Sequence, residues 1–506
     1  MSASETPTRK PSKEDLRTVT TVKQSEAEPQ FNTPKHGLKK YSYSFWAPEI
    51  AHLRALYFKI MIMSTILLTV IVWICLPVYW GSLWKGPELT GNIHALVINR
   101  DDGIIGSTVA GALINSTTSG SQHLGWEEVD PSTFATDEDV AEAIVDEAAW
   151  IAVVITSGAT SRLAAARATG DTSYNPMGAI SVYYAQARNE VATGNYLMPI
   201  TQAVLNRVTV QLGAQLSAQY LQSIAGNQTA VGLLARAPLT ISNPVSFQLF
   251  NLRPYTSQVA SAVTLVGFIY MIILSFYVTM FGAGAREVIA PYLKMSTYLK
   301  LRLIVPLILY VPISLIYSMI SLPFNLPFGA KYTYAGGFFL FWCLVFVGMC
   351  SLGLATEAAL TVLTTRFVAF FLIPFIIINV SVTVVPNDVQ PWFYKYGLGF
   401  PISNMSQAVR TIIFNTKNHL GLNFGVLLAW TALSLITVPL LSFIMRRKEM
   451  REEATRTLPN EHDEEIREDQ ERLDFGVGTT AHMTPSLERR VEQAEKLDRN
   501  DASRDV

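Results

Sequence analysis

The sequence predicts a polytopic α-helical membrane protein with six transmembrane helices and an α/β extracytoplasmic domain between helices one and two. Half of the 506 residues are hydrophobic, whereas only 16% are charged. The apolar residues gather in blocks of about 20, the length that an α-helix needs to cross the hydrocarbon core. Because lipid cannot satisfy backbone polar groups, such blocks are expected to be helical. A long stretch with the composition of a soluble domain separates the first block from the others.

The apolar blocks define the predicted spans. The first covers about 56–79, and aromatic residues typical of a membrane interface follow its apolar centre. Five further spans are predicted near 257–281, 302–322, 335–356, 367–386 and 423–445.

The domain organisation follows from these spans. We expect a disordered cytoplasmic tail at 1–45, an interfacial segment with the first transmembrane helix at 46–80, the extracytoplasmic α/β domain at 81–255, a five-helix transmembrane domain at 256–446, and a disordered, charged cytoplasmic tail at 447–506.

Basic residues set the predicted orientation. With six spans, they all fall on one side, which the positive-inside rule makes cytoplasmic. They include Arg286, Lys294, Lys300 and Arg302, all assigned to the loop between the second and third spans, and Arg446 after the sixth. Both termini are therefore predicted to be cytoplasmic, and 81–255 to be extracellular or luminal.

The inserted domain alternates β-like and helical segments. Strands are predicted at 93–99, 150–156 and 180–185, but their order cannot be read from the sequence. Helices are predicted at 105–113, 137–149, with Thr136 as its N-cap, and 188–224. The three cysteines all lie in apolar blocks, so we expect no disulfide in this domain.

The sequence contains none of the common motifs of catalysis or metal binding. It has no G-x-x-x-x-G-K-[ST], no H-E-x-x-H, no G-x-S-x-G and no Cys/His metal spacing. We therefore expect neither catalytic residues nor a bound metal or cofactor, and we do not expect an enzyme. The formal net charge of −1 gives no indication of a nucleic-acid partner, so the expected partner is the lipid bilayer.

The centres of the predicted spans lack Asp, Glu, Lys and Arg. Because buried ionisable residues usually mark proton or ion pathways, their absence argues against a proton-coupled antiporter. Glu357, at the cytoplasmic end of the fourth span, is the nearest exception, and we interpret it as an interfacial carboxylate in water.

Five positions are candidates for a substrate path or outer vestibule: Asn325, Trp392, Tyr396, Pro401 and Arg410. Asn325 lies between two prolines that could bend the chain into a vestibule, although a plain loop is the alternative. The other four lie in an aromatic segment and an amphipathic run at 403–414, before the last span. That run could pack as a cap on the helices or handle a lipid-like substrate.

Sequons predict glycosylation of the outer segments at Asn115, Asn227 and Asn404. A fourth sequon, at Asn379, lies within an apolar block, where an interhelical hydrogen bond is the expected role. We expect Arg253 and Pro254 to fix how the outer domain meets the second span.

Three short stretches carry a family resemblance: 78–83 (VYWGSL), 95–103 (ALVINRDDG) and 251–255 (NLRPY). Over about 50–445, the chain resembles a fungal family of membrane proteins known for nitrosoguanidine resistance. That family is similar to the permeases of type-two ABC exporters and to the bacterial phage-infection-protein group. The segment 391–410 resembles the aromatic and proline pattern before the last span of those proteins.

The resemblance implies a permease-like membrane protein that exports toxic compounds or affects lipid distribution at the plasma membrane. It also implies a homodimer and, because no nucleotide-binding domain is visible in this sequence, a separate ATPase subunit. The alternative is a non-transporting plasma-membrane organiser or regulator of lipid asymmetry. A receptor that senses a ligand through 81–255 is a third hypothesis, and an endomembrane is the alternative location.

Overall fold

The computed structural model describes residues 41–118 and 122–474. Most of the tail predicted at 1–45 and the last part of the tail predicted at 447–506 lie outside these residues. The chain divides after Thr69 into two compact units. In the first unit, a single 3₁₀ turn, Pro48–Ile50, leads into the helix α1, and Arg54 Nη1 donates to the carbonyl of Phe45 over 2.9 Å.

A mixed sheet with flanking helices follows α1 in the chain. The elements are α1 (Ala51–Trp84), β1 (His94–Asn99), α2 (Ile104–Ser116), β2 (Gly125–Val129), α3 (Asp137–Val145), β3 (Ile151–Ile155), α4 (Ala159–Thr169), β4 (Ile180–Tyr184), α5 (Glu190–Ala192), α6 (Met198–Ser223), α7 (Gln228–Arg236), α8 (Leu239–Ser242) and β5 (Phe247–Asn251). A π-helical turn, Thr193–Leu197, joins α5 to α6.

The five strands form one sheet in the order β2-β1-β3-β4-β5. β3 and β4 are antiparallel, and the other neighbouring pairs are parallel. Successive strand residues point to opposite faces, so β1 buries Ala95 and Val97 against α2 and α6 but Leu96 and Ile98 against α3. Both faces of the central strands are therefore covered, which explains their uninterrupted apolar sequences.

The remaining helices form an apolar bundle around α11. They are α9 (Gly267–Ile289), α10 (Met295–Met319), α11 (Tyr334–Ser381), α12 (Pro401–Phe414) and α13 (Leu420–Asp474). α11 packs against each of the other four. Every residue of α12 except Gln407 is buried, so this helix is a packed part of the bundle.

Five helices in the described chain are long and apolar enough to cross a membrane: Pro48–Trp84, Ala262–Tyr292, Met295–Met319, Tyr334–Thr365 and Leu420–Glu449. The segment predicted as the fifth span, 367–386, is the shorter apolar helix Phe367–Ser381. Thr364, at φ 62° and ψ 171°, interrupts the helical backbone of α11, and a turn follows Ser381. These two boundaries leave the segment below the roughly 20 residues of a typical span.

The charged sequence after Arg446 also differs from the prediction. We expected 447–506 to be disordered, but α13 continues to Asp474. This stretch is rich in Glu, Arg and Gln, which have high intrinsic helix propensity, so charge alone did not exclude a helix.

Candidate functional site

Three membrane helices bring charged side chains together at the end of the bundle that is remote from the sheet. Arg286 of α9 donates from Nη2 to Oε1 of Glu357 in α11 over 2.6 Å. Arg302 of α10 donates from Nε to the same oxygen over 2.8 Å. We call these three residues the arginine cluster.

Arg302 also joins three helices. Its Nη1 donates to Ser442 Oγ of α13 over 2.8 Å. Its Nη2 donates to Thr361 Oγ1 over 2.7 Å and to the backbone carbonyl of Glu357 over 3.2 Å. Most of the guanidinium donors of Arg302 are therefore used within the protein.

The cluster is removed from water, which the sequence did not predict. The side chain of Glu357 is 0% exposed, and those of Arg286 and Arg302 are 10% and 4% exposed. The expectation that Glu357 is in water is wrong, as is the assignment of both arginines to a loop. Two arginines face one carboxylate, so an excess positive charge is buried. Such a charge costs several kcal/mol unless an anion compensates it.

A cavity of about 690 Å³ adjoins the cluster, lined by residues of α9, α10, α11 and α13. Its volume lies within the range of small-molecule sites, roughly 300–1,000 Å³. Arg286, Tyr298, Arg302 and Arg446 contribute to its wall, and so do Thr364 and Thr365 at the break in α11. We call it the arginine cavity.

Arg446 closes one side of the arginine cavity. Its Nη2 donates to the carbonyl oxygens of Leu293 over 3.0 Å and Ala290 over 3.3 Å, which fixes the turn between α9 and α10. Its guanidinium carbon lies 5.0 Å from the ring centre of Tyr298, and that of Arg302 lies 5.7 Å from the same ring. Tyr298 therefore contacts two cations.

A second polar site lies where the sheet region meets the bundle. Arg410 of α12 forms an ion pair with Glu190 and donates from Nη1 to the carbonyl of Ala187 over 3.0 Å. Asn189 Nδ2 donates to the carbonyl of Val384 over 3.3 Å. These contacts fix the start of α5–α6 to the ends of α11 and α12.

A cavity of about 270 Å³ adjoins Arg410, and we call it the junction cavity. Arg188 lies in its wall with its guanidinium 3.7 Å from the ring centre of Trp150, and burial lowers the pKa of Arg188. Trp150 Nε1 donates to Asp388 Oδ2 over 3.2 Å. Since two arginines and two carboxylates line it, the wall has no single dominant sign of charge.

The structure does not bring the five predicted path residues together. Arg410 lines the junction cavity, and the other four are not part of its wall. Trp392 is 80% exposed, and Asn325 is an exposed residue at φ 52° in the turn after α10. Tyr396 donates its hydroxyl to the carbonyl of Ile378 over 3.1 Å. Pro401 is buried at the first position of α12, where its missing N–H costs no helical hydrogen bond.

The sequon at Asn404 does not fit the structure. Asn404 is 3% exposed, and its Nδ2 donates to the carbonyl oxygens of Leu398 and Phe400, each over 2.9 Å. A glycan on that nitrogen would displace both hydrogen bonds, so this fold disfavours glycosylation at Asn404. Asn115 and Asn227 are exposed, and Asn227 uses only Oδ1, as the cap of α7.

Asn379 makes the interhelical contact expected of it, whereas Arg253 contacts the turn between α12 and α13 rather than the second span. Asn379 Oδ1 accepts from the backbone N–H of Ile402 over 3.4 Å, which joins α11 to the start of α12. Arg253 Nε donates to the carbonyl of Asn415 over 2.6 Å. In residues 41–118 and 122–474, no cluster of three or more His, Cys, Asp or Glu side chains could hold a metal ion.

The arginine cluster is the feature that sequence reasoning missed. The second predicted span ends at 281, whereas the helical apolar segment extends from Ala262 to Tyr292 and includes Arg286. An ionisable residue inside an apolar helix is itself a signal of function, so a longer span boundary would have identified Arg286.

The fold defines a polytopic helical membrane protein with a buried charged cluster in its bundle. The chain belongs to the family described as Protein of unknown function (DUF3533), whose family model matches residues 64–436. It is 22% identical, over 463 residues, to an uncharacterized endoplasmic reticulum membrane protein of Saccharomyces cerevisiae. That match covers 86% of this chain and 89% of the yeast protein. No solved structure matches significantly.

Proposed function

We propose that this protein is a permease-like membrane protein that binds amphiphiles, either lipids or lipid-like toxic compounds, and moves them between the two sides of the membrane. The observation that carries the proposal is the arginine cavity, a space large enough for a ligand that is lined by buried charges between membrane helices. Charged side chains are costly within a membrane and commonly mark a substrate pathway. The resemblance to nitrosoguanidine-resistance proteins and ABC-type permeases agrees with this function.

We propose six crossings, with Phe367–Ser381 as the fifth. Thr364, just before this helix, lines the arginine cavity, whereas the carbonyl of Val384, just after it, accepts a hydrogen bond from Asn189 in the sheet region. The segment therefore connects opposite ends of the bundle. Six crossings keep both termini cytoplasmic and make the 81–255 α/β domain luminal or extracellular.

We propose the endoplasmic reticulum membrane as the location, in preference to the plasma membrane. The support is the name of the yeast relative, which describes that protein as an endoplasmic reticulum membrane protein. Fluorescence of the tagged full chain, compared with markers of the two membranes, tests this location.

We propose that energy, if movement is uphill, comes from a separate ATPase subunit, and that the protein is a homodimer. Both proposals rest on the resemblance to ABC permeases, which act in pairs with ATPases. Affinity purification under mild detergent tests both, because it recovers a bound ATPase and gives the oligomeric mass.

The proposed function is tested in cells that lack the protein, with and without re-expression. Loss of a labelled phospholipid and of a fluorescent drug is followed before and after ATP depletion. We expect re-expression to speed the movement of at least one label. Unchanged movement of both labels, at a confirmed amount of protein, would contradict a permease-like function.

A non-transporting organiser of lipid asymmetry is the second candidate. The observation that favours it is the dense contact between sheet region and bundle, which includes the pairs Arg410–Glu190 and Trp150–Asp388 and resembles a rigid scaffold. Lipid binding without movement of either label would favour this alternative.

A further inference from the structure

The arginine cluster contains one cation with unused hydrogen-bonding capacity. Among the described residues, Arg286 makes a single hydrogen bond, to Glu357. Arg302 makes four with its guanidinium, to Glu357, Ser442 and Thr361. Since a guanidinium has five N–H donors, Arg286 keeps several for a ligand, whereas Arg302 is held in place.

The unused donors adjoin the arginine cavity. Arg286 lies in the cavity wall, together with the hydroxyl-bearing residues Tyr298, Thr364 and Thr365. Arg446, whose position is fixed by the carbonyls of Ala290 and Leu293, adds a third cation to this wall, beside Arg286 and Arg302. Guanidinium and hydroxyl donors together are the groups that bind phosphate oxygens in proteins.

The balance of buried charges indicates that the ligand is negatively charged. Glu357 compensates only one of the two arginines that contact it, and its side chain has no exposure. The carboxylates of Glu287 and Glu449 also line the cavity, but both residues are exposed to solvent. An anion beside Arg286 would complete the compensation of the buried charges.

We propose that the arginine cavity binds the phosphate of an anionic amphiphile, with Arg286 as the binding residue and Arg302 as the positioning residue that holds Glu357. This inference rests on the proposed function, because it names the chemical class that the permease-like cavity recognises. The proposed crossings place the cavity near the membrane surface, where an anionic phospholipid headgroup supplies such a phosphate. Free inorganic phosphate has the same chemistry.

Binding is tested on the purified full chain in detergent by native mass spectrometry. The probes are phosphatidic acid, phosphatidylcholine and inorganic phosphate. Loss of a charge-assisted hydrogen bond is expected to weaken binding about tenfold or more. We therefore expect Arg286→Gln to weaken phosphatidic acid binding by that factor and to leave phosphatidylcholine binding unchanged. Lys300→Gln removes a positive charge from an exposed residue of α10 and should change neither.

A second variant covers the case in which Arg286→Gln does not fold. Arg286→Lys keeps the charge beside Glu357 but loses the planar fork, so we expect a smaller loss of phosphatidic acid binding in a folded protein. Competition by inorganic phosphate would identify free phosphate as a sufficient ligand, and its failure to compete would identify the lipid headgroup. Both results support the site.

Equal binding of phosphatidic acid and phosphatidylcholine by the wild-type protein, without phosphate binding, would overturn the inference. So would unchanged phosphatidic acid binding in both folded Arg286 variants. Neither result depends on movement of lipid. Selective binding in a protein that moves no label would instead contradict the proposed function and leave the site intact.

Discussion

Arg253 Nε donates to the backbone carbonyl of Asn415 over 2.6 Å, although the two residues are 162 positions apart. Asn415 ends α12 at φ 53°, a left-handed conformation that asparagine tolerates better than most residues. The contact joins the segment after β5 to the turn between α12 and α13. It therefore fixes the sheet region to the bundle at the entry to α9.

Arg253→Ala should destabilise this attachment. The half-buried carbonyl of Asn415 loses a charge-assisted partner, at a cost of about 1–3 kcal/mol. We expect a lower thermal midpoint for the detergent-solubilised full chain and more retention in cells. The control is Arg207→Ala, which truncates an exposed arginine of α6. Equal midpoints for the two variants, with normal expression, would show that the Arg253 contact contributes nothing to folding.

Glu357→Gln should be among the most destabilising single changes in the bundle. It removes the only carboxylate that contacts Arg286 and Arg302 among the described residues, which leaves two buried cations uncompensated. Breaking a buried ion pair typically costs about 3–5 kcal/mol. The matched control is Glu287→Gln, the same substitution at an exposed carboxylate of the arginine cavity. Thermal unfolding of both variants measures the difference, and similar midpoints would contradict the role of Glu357.

Thr160→Val should destabilise the sheet region in a pH-dependent way. Burial raises the pKa of Asp101, but hydrogen bonds from the Thr160 hydroxyl, over 2.6 Å, and from backbone N–H groups outweigh it and lower the pKa overall. A lowered folded pKa means that the carboxylate stabilises the fold above its unfolded pKa, near 3.9. That contribution is lost as the pH falls through the folded pKa.

Loss of the Thr160 hydroxyl should therefore cost about 1–3 kcal/mol at pH 7. The difference from wild type should shrink as the pH falls below about 4 and should be lost below the lowered folded pKa of Asp101, where the folded carboxylate becomes protonated. Denaturant unfolding at pH 7 and at a pH below the folded pKa of Asp101 measures the difference in unfolding free energy. Thr160→Ser is the control that keeps the hydroxyl. A difference that stays the same from pH 7 to a pH below the folded pKa of Asp101 would exclude the charge of Asp101 as its cause.

Glycosylation tests the orientation of the sheet region. If 81–255 is luminal, Asn115 and Asn227 should carry glycans, because both are exposed. Endoglycosidase should then increase the gel mobility of the wild-type chain, and Asn115→Gln and Asn227→Gln should each remove part of that shift. Asn404→Gln should leave the shift unchanged, since Asn404 is buried. A chain with no shift in any of these forms would contradict the luminal orientation.

The sequence predicted the elements whose patterns are local. Buried strands β1, β3 and β4 were visible as apolar runs, and Thr136 was recognised as the cap of α3, where it accepts from Asp139 N–H over 3.1 Å. β2 and β5 were missed because they are the edge strands of the sheet. β2 carries two exposed glutamates, and β5 is only partly buried, so neither contains an apolar run.

The candidate site could not be predicted in the same way, because it depends on which helices are neighbours. Arg286, Arg302 and Glu357 lie on three different helices, and each lies near an end of its apolar block, where a charge usually faces water. Only the packing of α9 and α10 against α11 brings them into contact. Arg410 is the predicted path residue that lines a cavity described here, and its role there depends on Glu190.

Blocking the arginine cavity tests its proposed role in moving amphiphiles most directly. Purified full-length protein is reconstituted into vesicles that contain a fluorescent phospholipid, and the rate at which an impermeant quencher eliminates inner-leaflet label is measured. Thr365→Trp places a large side chain in the cavity wall without removing a cluster contact. Thr297→Trp makes the same substitution at an exposed residue of α10 outside that wall. We expect movement with wild type and Thr297→Trp but not with Thr365→Trp, whereas equal rates in all three would contradict transport through this cavity.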